Sequence, residues 1–196
     1  LTAARTPARH RGLGRLAAAL CLAALPALAE VPLATQATLT LRILAFDRKL
    51  PARAQDAARF VVLYRQGDAA SEAAMTEVAA ALDAAALKNS VSGLPLKVER
   101  VGYSSAAKLE ADLSRGRFSV AYLCPGLDDA LPDIVKLTRS HSVLTFSGTE
   151  AYLKAGASVA LVRRDAKAVV LVHLAHSRAE AADLDSALLR IAEVVL

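Results

Sequence analysis

Cys124 is the first residue to weigh for chemistry. It closes the apolar run Val120-Ala121-Tyr122-Leu123-Cys124 and is followed by Pro125-Gly126. A thiol at the carboxyl end of a central strand stands where open α/β sheets bind ligands. As a nucleophile it would need a positioned base, and the sequence identifies none. It also lacks a C-x-x-C partner, so a small buried cysteine is the competing reading. His173 and His176 are three apart, and His141 is the one other histidine after the first thirty residues. A metal site would need more ligands, and no H-E-x-x-H spacing occurs, so capping or surface roles are expected. Arg65-Gln66-Gly67-Asp68 and Ser147-Gly148-Thr149 each follow an apolar run. At a carboxyl edge their amides could hold an anion, although both are also ordinary turn and helix-cap sequences. Arg65, Asp68, Cys124, Ser147 and Thr149 therefore form a candidate ligand or partner crevice. No catalytic, cofactor-binding or metal-binding residues are assigned. The chain has no G-x-G-x-x-G or Walker sequence, which disfavours a nucleotide enzyme.

The elements that must position these residues alternate apolar helical stripes with short apolar runs. Leu39, Ile43, Phe46 and Leu50 predict a helix over about 34–48 ending at Pro51. Phe60-Val61-Val62-Leu63-Tyr64 reads as a strand covered on both faces. Met75, Val78 and Leu82 mark the next helix, and a strand follows around Leu96–Val101. A charged helix is expected near Ser105–Arg115, then the strand ending at Cys124, a helix around Leu127–Thr138 and a strand Val143–Phe146. Thr149–Leu153 reads as a short helix closed by Gly156. Val159-Ala160-Leu161-Val162 and Val169-Val170-Leu171-Val172 are too close for a crossover helix and predict an antiparallel hairpin. Leu184, Leu188, Ile191 and Val195 predict one final helix with Leu188 facing inward. The expected fold class is α/β: a three-layer, Rossmann-like sandwich around a mostly parallel sheet, with an antiparallel C-terminal hairpin strand.

The first 29 residues address localisation. Arg5, Arg9, Arg11 and Arg15 precede ten apolar residues, Leu16–Leu25, and Pro26 leads into Ala27-Leu28-Ala29. This order predicts a secretory signal peptide over 1–29, cleaved between Ala29 and Glu30, and one domain over 30–196. Ten apolar residues fall short of the about 20 needed to span a bilayer. Leu20 before Cys21 does not suit a lipoprotein site. Without the four leader arginines, the 24 basic and 19 acidic residues leave a net charge of +1. The basic character thus gives no nucleic-acid reading. Cys124 would be the one cysteine left, which excludes an internal disulfide, and no later segment is expected to span a membrane.

Val143-Leu144-Thr145-Phe146-Ser147 with Tyr152-Leu153-Lys154-Ala155-Gly156-Ala157 resembles the LTVSD…F…GG segment of the YfiR family. Val172-His173-Leu174 and Ala181–Val195, including Leu188-Leu189-Arg190-Ile191-Ala192, resemble its F-x-I-N…A…LL-x-L-A ending. His173 stands where the family often has Asn, Ala155-Gly156 replaces the glycine pair, and the paired cysteines of some members have no counterpart. The resemblance implies a periplasmic, often dimeric signalling protein with an α/β fold. It also implies a partner: the periplasmic region of a membrane diguanylate cyclase, held inactive, which lowers cyclic di-GMP and affects biofilm formation. The expectation is a regulatory binding protein, not an enzyme. The alternatives are a periplasmic small-ligand receptor feeding a transporter or sensor kinase, and an envelope enzyme using Cys124.

Overall fold

The computed structural model describes Thr2, residues 30–87 and residues 90–196. Apart from Thr2, the predicted leader, including Ala29, lies outside the described residues, and Glu30 is exposed coil. The chain begins with α1 (Leu33–Leu44) and a short α2 (Leu50–Ala54). Pro51 does not end the first helix. It sits in the first turn of the second, where a missing N–H is harmless. Next come β1 (Ala58–Arg65), α3 (Ala69–Ala86), the two-residue β2 (Ser90–Val91) and β3 (Leu94–Tyr103). Then follow α4 (Ala106–Gly116), β4 (Val120–Leu123), a single 3₁₀ turn at Asp128–Ala130, and α5 (Leu131–Ser140). The last stretch holds β5 (Leu144–Ser147), α6 (Glu150–Lys154), β6 (Val159–Arg164), β7 (Lys167–His173), α7 (Leu174–Ala179), α8 (Ser186–Leu189) and β8 (Glu193–Val195).

The strands form one sheet in the order β2-β3-β1-β4-β5-β6-β7-β8. Pairing is parallel from β3 through β6, with Phe60 opposite both Val98 and Val120. The hairpin is antiparallel as expected, and Val159 faces Val172. Alternation along β1 feeds two cores. Phe60 and Val62 pack with α1 and α3 on one face, whereas Val61 and Leu63 pack with α4 and α5 on the other. The fold is thus the expected α/β sandwich with three layers.

The end of the chain departs from expectation. The stripe Leu184, Leu188, Ile191 and Val195 does not make one helix. Helix α8 covers four residues, Ile191 is 75% exposed, and Glu193–Val195 turns into a strand parallel to β7. An unpaired β7 would leave a row of free backbone donors and acceptors at the sheet edge. Pairing with the β-branched Val194 and Val195 satisfies them and overrides the helical spacing. Leu188 is nevertheless buried, at 1% exposure, on the α1 and α3 side of the sheet.

Candidate functional site

Two loops meet at the carboxyl ends of β1 and β4, where the chain runs to opposite sides of the sheet. Arg65 donates from Nε to the Gly126 carbonyl at 3.1 Å and pairs with Asp129, so it bridges the two loops. Its guanidinium also lies 5.2 Å from the centre of the Tyr103 ring. Asp68 caps α3, accepting from the Ser71 N–H at 2.8 Å, while Ser71 Oγ accepts from the Arg65 N–H at 2.8 Å. Gly126, in the loop after β4, lies close against the loop after β1: a Cβ there would lie 3.6 Å from Asp68 and 3.7 Å from Arg65. The structure therefore gathers Arg65, Asp68 and the loop after Cys124, as the sequence expects. It ties them to one another.

Cys124 itself is fully buried among the α1 and α3 core residues. Burial pushes its thiol up to about 12, so at neutral pH it stays protonated and non-nucleophilic. Ser147 is buried and accepts from the Thr149 N–H at 2.9 Å. Thr149 caps α6, accepting from the Tyr152 N–H at 3.3 Å. Tyr152 then links this loop to the first: its hydroxyl accepts from the Leu127 N–H at 2.8 Å and donates to Asp128 at 3.3 Å. Burial raises that phenol to about 12. None of the five crevice residues lines the surface cavities of about 390, 260 and 180 Å³.

Gln36 of α1, which periodicity treats as an ordinary helical position, closes the same edge. It is fully buried, accepts from the Tyr122 hydroxyl at 2.6 Å and donates to the Val31 carbonyl at 2.7 Å. A Cβ on Gly148 would sit 2.6 Å from its Oε1, so any larger residue in the loop after β5 would have to displace this buried amide. His173 behaves as expected of a cap, receiving the His176 N–H at 3.4 Å, and the two imidazoles stack 3.4 Å apart. Among the described residues no group of three or more His, Cys, Asp or Glu is placed to hold a metal ion.

Three charged residues with buried side chains, Arg53, Asp47 and Glu180, escape sequence reasoning altogether. Arg53 pairs with the buried Asp47 and donates from Nη1 to the carbonyls of Ser119 and Ser142, each at 2.7 Å. Glu180 accepts from the Thr145 N–H at 2.8 Å, from the hydroxyls of Thr145 and Thr138, and from Ser158. Burial still outweighs these donors and pushes its carboxyl up to about 7. A charged residue between small ones, as in Ala179-Glu180-Ala181, carries no signal that it points inward.

The arrangement is that of an α/β fold whose carboxyl-edge loops are tied together by their own side chains. The chain belongs to the YfiR/HmsC-like family, whose model matches residues 34–193. No curated protein matches its sequence. Solved structures of similar fold include the ABC domain in complex with L-Trp from Streptococcus pneumonia, with 11% identity and a TM-score of 0.56. That match covers 84% of this chain and 60% of the other. A conserved domain protein from Vibrio cholerae gives 14% identity and a TM-score of 0.57 over 83% and 60% of the two chains. The open form of CD0873, a substrate binding protein with adhesive properties from Clostridium difficile, gives 15% and 0.54 over 75% and 57%. The match thus spans at most 60% of the length of these structural relatives. Among the described residues no helix is long and apolar enough to cross a membrane.

Proposed function

We propose that the protein is an exported periplasmic regulator that binds the outward-facing region of a membrane signalling protein, a diguanylate cyclase in the first instance, and holds it inactive. The observation that carries this reading is the family match over residues 34–193. The arginine-rich leader sequence supports the location, and the buried, protonated thiol supports binding without turnover. The mechanism asks only for differential affinity. A protein that binds the inactive state about tenfold more tightly shifts its partner's equilibrium by about 1.4 kcal/mol, which is sufficient to alter output.

Deleting the gene should raise cellular cyclic di-GMP, and complementation should require the leader. Cys124→Ala should complement, because the thiol has no chemical part. Unchanged cyclic di-GMP in the deletion strain would reject the cyclase as partner. The second reading, a small-ligand receptor, is favoured by the binding proteins of similar fold. It would then take precedence.

A further inference from the structure

A cavity of about 260 Å³ opens at the amino edge of the sheet, opposite the filled carboxyl edge. Its polar lining is Arg53, Gln55, Ser114, Arg117 and His141, and its apolar lining is Leu113 and Phe118. No carboxylate lines it. The charges around it do not balance. Arg53 is offset by Asp47, and His141 Nε2 lies 2.8 Å from Glu110, but the exposed Arg117 forms no ion pair among the described residues. Arg53 is 7% exposed along its side chain, and its Nε is buried without a hydrogen-bond partner. An unmet buried donor is costly, so the guanidinium beside the cavity is incompletely satisfied. Gln55 is held at φ 56 and ψ −97, a conformation seldom adopted by residues with a Cβ. Such backbone clusters at ligand sites.

We infer that this pocket binds a small oxyanion: the carboxylate or phosphate group of a molecule of few heavy atoms. Arg117 supplies the uncompensated charge, and Gln55 and Ser114 supply neutral hydrogen bonds. Leu113 and Phe118, 2% and 5% exposed, form only a small apolar floor. The volume lies just below the usual range for larger organic ligands, about 300–1,000 Å³, which sets the size class. The inference holds independently of the regulatory reading above.

The test is amide NMR on the purified chain, titrated in separate arms with inorganic phosphate and with acetate. Saturable shifts centred on Gln55, Ser114, Arg117 and His141 are expected in at least one arm, and the arm that saturates names the group. Arg117→Asn should weaken binding about tenfold, as the loss of one charge-assisted contact does. Asn suits the left-handed backbone there, φ 49 and ψ 47, so the fold should survive. Ser114→Asp, at an exposed position, should abolish binding by charge alone and leave the melting temperature in place. No saturation in either arm, shifts confined to the carboxyl-edge loops, or undiminished binding in both variants would overturn the proposal.

Discussion

Glu180, just past the end of α7, takes the backbone N–H of Thr145 on β5 at 2.8 Å and so anchors the C-terminal segment to the middle of the sheet. Thr145 Oγ1 in turn accepts from the Ser158 N–H at 2.9 Å, which draws the start of β6 into the same cluster. No cation pairs with the carboxyl among the described residues. Hydroxyls and one amide must therefore satisfy whatever charge it carries.

This arrangement predicts a specific pH dependence. The folded carboxyl is raised from its ordinary 4.5 to about 7, so the unfolded chain ionises first as pH rises. Its contribution to stability is full below about 4.5 and is lost as pH climbs through about 7. The span corresponds to on the order of 3 kcal/mol. Glu180→Gln keeps the shape and removes the titration. Thermal unfolding of the native chain should weaken from pH 5 to pH 8 more than that of the variant. Parallel curves would mean that the four donors hold the carboxylate ionised throughout.

Arg53 should be among the least replaceable residues. Its guanidinium holds the carbonyls before β4 and β5 together and neutralises Asp47. Removing one member of a buried pair costs about 3–5 kcal/mol, because the other is left charged and dry. Arg53→Met should unfold at much lower urea. The double variant with Asp47→Asn should recover part of that loss.

Leu188 and its neighbours separate the observed ending from a continuous helix. Leu188→Ala should cost about 2–5 kcal/mol as a buried leucine. Arg190→Ala and Ile191→Ala should cost much less, Ile191 because it is 75% exposed. A single inward-facing helical stripe would make Ile191 as costly as Leu188. Melting temperatures of the three variants decide it.

Cys124 should resist alkylation in the native protein. Its thiol is buried and raised to about 12, so labelling with iodoacetamide at pH 8 should wait for unfolding. Rapid native labelling would show an opening at the end of β4.

The repeating part of this fold was legible because periodicity and burial agree there. Phe60–Tyr64 and Val120–Cys124 are apolar throughout, as central strands must be, and the spacing of the two valine runs could only make a hairpin. Ser105, Asp68 and Thr149 were visible as helix starts, and each does cap one. The ending departs from its sequence pattern because Leu184 to Val195 satisfies a helical period that sheet-edge pairing outcompetes, a tertiary effect invisible in a local window. The candidate site was legible as a place but not as a state. The sequence located Arg65, Asp68 and Cys124 near one edge, but the filling of that edge depends on Gln36, from the distant α1, and on the Tyr152 hydroxyl reaching across to Leu127. Glu180 and Arg53 were illegible for a plainer reason: a buried charge is decided by partners that only the folded chain supplies.

The strand order carries a consequence for how the molecule is made. Phe60 on β1 finds its neighbours in Val98 and Val120, so this central, largely apolar strand has no partner close to it along the chain. Its hydrogen bonds can form only by closing long loops, which is slow compared with forming the flanking helices. Until then Phe60-Val61-Val62-Leu63 is a bare, uncharged β-prone run of the kind that nucleates aggregation. Yield on overproduction should therefore be governed by how long this one strand waits, and a holdase that shields it would help more than any gain in native stability.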